Sequence, residues 1–299
     1  MNGVIKKHEN TREDKEQDRI RHVEACGAQT GPIFLAYRSI DIVNQIIDRV
    51  KTGEKLYGFT SPDGITHNVW IIDEADDIQI IQEAFAGINE IYIADGHHRS
   101  ASAVKAGLHM REQHPDYTGE EEFNYFLSVL FPDDQLMIMD YNRSVRDLNG
   151  LTEAQLLEKL NAHFVVEDMG TEIYHPAKLH EFSMYLAGKW YRLTAKEGSY
   201  NDADPIGVLD VTILSNHVLA DILDIQDLRT SKRIDFVGGI RGLGELKKRV
   251  DSGEMKVAFA LYPVSMEQLI NIADTGNIMP PKTTWFEPKL RSGMVIHKI

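Results

Sequence analysis

Ile91-Tyr92-Ile93-Ala94-Asp95-Gly96-His97-His98-Arg99-Ser100, continuing through Ala101-Ser102-Ala103-Val104-Lys105-Ala106-Gly107, is the stretch whose reading decides the fold. Its first four residues are apolar and β-prone, so they read as a short buried strand ending at Asp95. Small helix-compatible residues begin at Ser100, which stands where an N-cap would sit. Between strand and helix lies a tight turn with one glycine and three residues able to carry positive charge. A strand breaking into a helix this way aims unpaired N–H groups and the positive end of the helix dipole at whatever rests on the turn. That is an anion site, most naturally for phosphate, and Arg99 is suited to a two-pronged contact with the same oxyanion. Asp95 is the single acid of the turn, fit for a metal ion or for accepting a hydroxyl proton. The alternative is a purely structural turn with two surface histidines, but Asp-Gly-His-His-Arg supplies more donors than a turn needs.

Upstream, residues 5–26 have a charged helical pattern. His8, Arg12, Lys15, Arg19 and His22 follow one another at steps of four, three, four and three, which places them on one helical face. Few apolar anchors remain, Ile20 and Val23 among them, so this helix is solvated, bridges domains or lines a site. His8-Glu9-Asn10-Thr11-Arg12 misses the His-Glu-x-x-His zinc pattern, because Arg12 stands where the second ligand belongs. Between this segment and the central strand, Ile33–Tyr37 reads as a strand and 41–50 as a helix. Leu56–Thr60 and His67–Ile72 flank Ser61-Pro62-Asp63-Gly64 as a hairpin. A helix is expected from about 78 to 85.

Downstream, 125–131 and 136–139 read as strands, the second leading into Asp140-Tyr141-Asn142-Arg143. A helix is expected at 153–163, a strand pair at 181–186 and 190–193, and a helix at 209–223. The strand 233–237 opens onto Gly238-Gly239-Ile240-Arg241-Gly242-Leu243-Gly244 before a helix at 245–250. This loop has neither the Gly-x-Gly-x-x-Gly order of a dinucleotide loop nor the Lys-Ser/Thr ending of a P-loop. Structural turn and ligand loop both remain open for it. After a strand at 257–262, the segment 279–293 carries three prolines, Trp285, Phe286 and several cations. Prolines forbid regular structure there, and the aromatics argue for a docked loop, with Lys282 or Arg291 as candidate ligand contacts. The mixture of hairpins and strand–helix alternation is that of an α+β, mixed α/β fold.

Bulk properties narrow the function. The chain has 299 residues, 42% hydrophobic and 26% charged, the profile of a globular protein with a sizeable core. A formal net charge of −14 opposes non-specific binding to nucleic acid or anionic membrane, so neither is an expected partner. Cys26, the single cysteine, forms no internal disulfide, which fits a reducing cytoplasm. No apolar run approaches a membrane span, and the N-terminus lacks a signal peptide's apolar centre.

Taken together, Asp95–Arg99, the charged segment Lys6–Thr11 with Lys15-Glu16 and Asp18-Arg19, Tyr141-Asn142-Arg143, Phe236–Gly242 and Met279–Gly293 resemble one family from end to end. It is the bacterial and archaeal family known as domain of unknown function 1015. Its His-His-Arg loop is similar to the phosphate loop of the ParB/sulfiredoxin superfamily, which includes free L-serine kinases. The resemblance implies a ParB/sulfiredoxin-like domain over 1–145 and a C-terminal α/β lobe over 146–299 contributing to the same cleft. It also implies that the family's N-terminal region is missing before Met1. The implied activity is phosphorylation of free L-serine to O-phosphoserine, with ATP, ADP or pyrophosphate as donor and Mg²⁺ as cofactor. Asp95, His97, His98 and Glu9 are the implied catalytic residues, and Asp95 the implied Mg²⁺ ligand. Substrate and phosphate contacts fall to Gly96, Arg99, Ser100, His8, Lys15, Arg19, Asn142, Arg143, Arg241, Lys282 and Arg291. The partner is a small-molecule substrate, and a homodimer is left open.

Phosphoryl transfer asks for cations and backbone donors around phosphate and for a group to deprotonate the hydroxyl. The 95–99 loop offers the first, and Glu9 or Asp95 the second. Adjacent histidines point differently in most backbones, so one is expected to meet phosphate and the other to orient the loop. Glu16, Arg19, Lys282 and Arg291 are candidates for serine's own charges. Two rivals share the loop. A DNA-binding ParB would need a basic recognition patch, and a sulfiredoxin-like reductase would need a cysteine where His97 stands. A non-catalytic regulatory protein of ParB-like type that binds nucleotide or phosphate is the remaining alternative.

Overall fold

A computed structural model describes residues 3–287 and 289–299. The central strand Ile91–Asp95 forms as its apolar, β-branched sequence dictates, and it lies inside a four-stranded sheet. The strand order is Ile5–Lys6, Ile91–Asp95, Ile33–Tyr37, Ser128–Pro132. The middle pair is antiparallel, and both outer pairs are parallel. All five residues of Ile33–Tyr37 are buried, the burial on both faces expected of a strand inside a covered sheet.

The second sheet has six strands, all antiparallel, in the order Phe164–Gly170, Lys189–Ala195, Glu181–Leu186, Val257–Leu261, Tyr141–Val145, Ile234–Gly238. Ala187 and Gly188, both at positive φ, make the tight turn between two of these strands, the conformation that suits a two-residue hairpin. Tyr141–Val145 pairs within this sheet although it precedes residue 146, so the chain passes from one sheet to the other ahead of that position. One core joins the two sheets: Phe34, Ala36, Tyr92 and Ala94 pack in the same apolar cluster as Phe182, Phe259 and Phe286. The mixed α/β class read from the sequence is the observed one.

Several local expectations are corrected. The charged helix runs Glu13–Cys26 rather than from residue 5. Ile5–Lys6 instead adds a parallel strand beside Ile91–Tyr92, and residues 7–12 cross the central turn with a bend at His8–Glu9. Ser100 is not an N-cap. The helix His97–Gln113 begins at Gly96, whose φ of +93° only glycine adopts readily, and the Ser100 N–H already bonds the Gly96 carbonyl at 2.8 Å. The expected helix 209–223 divides into Asp210–Leu214 and a π-helical turn, Ser215–Ala220. Small residues explain how closely the helices pack. A Cβ on Gly107 would lie 2.7 Å from the Phe123 carbonyl, and Ser102 bonds back onto the carbonyls of Glu16 and His98.

The polar helix Glu13–Cys26 is held by Ile20 and by one buried carboxylate. Glu16 receives both the Lys105 ammonium and the Thr11 hydroxyl, and these bonds hold its pKa below the usual carboxylate value. This removes Glu16 from the candidates for a substrate contact. The 279–293 segment is docked, as its aromatics imply, through Trp285–Phe286 pairing with Ile138–Met139. Among the described residues, no helix is long and apolar enough to cross a membrane.

Candidate functional site

The turn after Ile91–Asp95 leaves a helix start with unusual electrostatics. No acidic side chain occupies the first turn of His97–Gln113, and no side chain caps it. His97, His98 and Arg99 instead stand at the positive end of the dipole, an arrangement that favours an added anion. Gly96 donates its N–H to its neighbour Asp95 Oδ1 at 2.7 Å. With Ser100 also bonded within the helix, the amides of residues 97–99 are the orphan donors of the turn.

The two histidines act on the segment that crosses above them. His97 is buried, and its Nε2 lies 3.5 Å from the His8 N–H in a donor–acceptor contact. The two rings meet edge to face, centroids 4.6 Å apart at 87°. Burial lowers the His97 pKa to about 4; it lowers that of His8 to about 3, with the proximity of His97 adding to the effect. Both rings are therefore neutral at pH 7, and neither serves as a cation for phosphate. His98 Nε2 accepts the Arg12 N–H at 3.0 Å, which fixes the far end of the same segment. Glu9 lies between these two anchors.

Glu9 and Asp95 line a cavity of about 270 Å³ together with Gly96, His97, His98, Tyr141, Lys282, Thr284, Trp285 and Lys289. Burial raises the pKa of Glu9, opposed by Lys282 and His98 and reinforced by Asp95. Asp95 Oδ2 faces Lys289 Nζ at 3.3 Å and the Arg99 guanidinium at 3.9 Å. The Lys289 ammonium also sits 4.9 Å from the Trp285 ring centre, and that of Lys282 sits 5.6 Å from the Tyr141 ring centre. Glu9, His98 and Lys282 are shared with a larger neighbouring cavity of about 660 Å³. Its walls combine cations, Arg12, Lys15, Arg19 and Arg229, with apolar Leu228, Phe236, Ile278, Met279 and Pro281.

Other predicted residues lie elsewhere. Arg99 turns from the 270 Å³ cavity into a third one of about 530 Å³, which it lines with Arg19 and His22. Ser100 is half-buried within the helix, and His8 is buried beneath the site. Asn142 and Arg143 are fully buried and support rather than face the cavity. Asn142 Oδ1 accepts the Leu261 N–H at 3.1 Å. Arg143 binds the carbonyl of Tyr141, and that of Lys282 at 2.9 Å. It thereby holds Lys282 at its positive φ of 62°. Burial brings the pKa of Arg143 down to about 10, so it stays charged at neutral pH. Arg241 is exposed and lines none of these cavities. Arg291 pairs with Asp63 and pins the tip of the 57–69 hairpin.

Sequence reasoning passed over Lys289, Thr284, Arg229 and the wall formed by Tyr141 and Trp285. For Lys289 the signal was its place two residues beyond Glu287 in an aromatic, proline-rich segment. The glycine loop contributes through Gly238, where a Cβ would come within 2.7 Å of the Trp285 indole. Asp95 suits the one or two carboxylates that Mg²⁺ takes from protein when phosphate and water supply the rest.

A polar cavity at an uncapped helix start, between two sheets of a mixed α/β fold, defines the class of protein. The chain belongs to the family described as a protein of unknown function (DUF1015), which matches residues 1–212, the family its motifs suggested. None of the curated proteins matches it. Among solved structures, it is similar to a conserved hypothetical protein from Pyrococcus furiosus, with 18% identity and a TM-score of 0.45, covering 97% of this chain and 90% of that one. A free serine kinase in complex with AMP is 16% identical with a TM-score of 0.44, covering 95% and 84%. SbnI with a C-terminal truncation, from Staphylococcus aureus, is 11% identical with a TM-score of 0.48, covering 97% and 82%.

Proposed function

We propose that this protein is a small-molecule kinase that transfers a phosphoryl group to the hydroxyl of free L-serine. The observation that carries the reading is the placement of Glu9, a carboxylate with a raised pKa, beside Asp95, Lys282 and Lys289 at the uncapped start of the helix His97–Gln113. The choice of serine rests on the family resemblance, and fold alone does not determine an acceptor.

In this reading the amides of residues 97–99 and the two lysines receive the transferring phosphoryl group. Glu9 takes the proton from the serine hydroxyl as its oxygen bonds to phosphorus. The bond from phosphorus to the donor's bridging oxygen breaks, and the electron pair leaves with the donor. Asp95 would hold Mg²⁺, which supplies charge neutralisation on the phosphates. The larger cavity, lined by both cations and apolar side chains, suits a nucleotide donor, ATP or ADP; pyrophosphate would use only its cations. Arg143 acts through Lys282 as a positioning residue, and His97 and His98 act through the 8–12 segment. We further read the chain as two lobes sharing one cleft, divided ahead of the strand Tyr141–Val145 rather than after residue 145, and the cytoplasm as the site of action.

The test is a screen of ATP, ADP and pyrophosphate against serine, threonine and homoserine with Mg²⁺, read by phosphorus NMR. O-phosphoserine formed by the wild type and absent with Glu9→Gln supports the reading. Nucleotide binding with no phosphorylated amino acid from any donor overturns it in favour of a non-catalytic regulatory protein.

A further inference from the structure

We propose that His163, His217 and Asp221 form a binding site for a first-row divalent metal ion of the zinc type, separate from the kinase cavity. One donor atom from each residue lies within 4.8 Å of the other two, and this is the one such group of three among the described residues. His163 is on the turn between the helix Glu153–Leu160 and the strand Phe164–Gly170, and His217 is in the π-helical turn Ser215–Ala220, which Asp221 follows. π-Turns of this kind recur at functional sites.

The second observation is the tautomer of His217. Its Nε2 lies 2.7 Å from the Ser199 carbonyl, an acceptor only, so Nε2 carries the hydrogen. The lone pair is then on Nδ1, which is buried and has no hydrogen-bond partner. Metal-bound histidines are oriented in this way, one ring nitrogen donating to a carbonyl and the other facing the ion. A buried, unpartnered acceptor is otherwise unfavourable. The His163 ring stacks on His217, centroids 4.0 Å apart at 17°.

Ligand bonds of about 2.0–2.2 Å place two tetrahedral donors roughly 3.4 Å apart, so the donors, within 4.8 Å of one another, draw together by up to about 1.4 Å as the two stacked rings splay to face one ion. Asp221 is exposed and free to swing. Two imidazoles and one carboxylate favour zinc, cobalt or nickel over magnesium or calcium, and water would complete a tetrahedron. Lys196 stands near His163, its ammonium bonded to the Asn161 carbonyl. The Lys196–Ser199 turn also bonds the His163 carbonyl, through the Lys196 N–H at 2.9 Å and Ser199 Oγ at 3.0 Å. A bound ion would therefore lock this turn onto the helical segment.

The experiment titrates metal-stripped full-length protein with Zn²⁺ by calorimetry and with Co²⁺ by visible absorption. The expected result is one equivalent bound, with the absorption of tetrahedral cobalt and a rise in Tm on adding Zn²⁺. His163→Ala and His217→Ala should each weaken binding by roughly tenfold or more and abolish the Tm rise, with far-UV circular dichroism unchanged. Should His217→Ala fail to fold, Asp221→Asn and His163→Asn carry the same comparison. No stoichiometric binding by the wild type, or equal binding by wild type and folded variants, overturns the proposal.

Discussion

His98 Nε2 accepts the backbone N–H of Arg12 at 3.0 Å across 86 positions of sequence. Together with the His97–His8 contact, this bond determines where Glu9 stands. His98→Ala should free the 8–12 segment, with a stability loss limited to about 0.5–1.5 kcal/mol for one hydrogen bond. Amide exchange at Arg12 should accelerate, and serine phosphorylation should fall further than stability does. Unchanged exchange at Arg12 would contradict this role.

Glu9 is expected to act as the base. Its raised pKa places the rising limb of kcat/KM above the usual carboxylate range, because activity requires the deprotonated form and increases as pH passes upward through that pKa. Glu9→Gln should lower kcat by ~10²–10⁴ while nucleotide affinity is retained. A variant with near-normal kcat would remove Glu9 from the chemistry.

Acid should destabilise the fold through His97. Its pKa is near 6.5 in the unfolded chain and about 4 in the folded one, so the unfolded state binds more protons between those values. Stability is complete above pH 6.5 and is lost as pH falls towards 4, by on the order of 3 kcal/mol. His8, buried against it, adds in the same direction. Urea unfolding at several pH values should show a flatter dependence for His97→Gln than for the wild type.

Arg143 should matter for position before charge. Arg143→Met removes both carbonyl contacts, each worth about 1.5–3 kcal/mol for a charged donor. Lys282 would lose the support for its left-handed backbone. The expected outcome is a lower Tm and a higher KM for the donor, with Arg143→Lys intermediate in both.

Gly238→Ala should be destabilising by about 1–3 kcal/mol, the range for overpacking. The added methyl would meet the Trp285 indole at 2.7 Å. Displacing Trp285 also moves the Lys289 ammonium above it, so activity should decline alongside stability. A variant as stable as the wild type would show that the indole shifts freely.

Much of this protein was legible in the sequence. The strand–turn–helix at 91–113, the hairpin around Ser61–Gly64 and the helix at 41–50 follow from apolar periodicity and from glycine and proline placement, which act over a few residues. The docking of 279–293 was legible from Trp285 and Phe286, since aromatics in an irregular segment need an apolar surface. Asp95 and Gly96, which the turn's own chemistry singles out, and Glu9, which the family resemblance implies, lie on one cavity. The directions of the side chains were not legible. Adjacent His97 and His98 both turn to the 8–12 segment, Arg99 turns to a different cavity, and Arg241 stays in solvent. Each direction depends on which remote backbone lies opposite, as when Ile5–Lys6 joins the sheet in parallel beside Ile91–Tyr92 in place of extending the charged helix. Local pattern determined the elements, because backbone geometry and periodicity are properties of neighbouring residues. Only the tertiary structure decided the site, because burying Phe34, Tyr92 and Phe286 in one core brings the 8–12, 95–99 and 282–289 segments together.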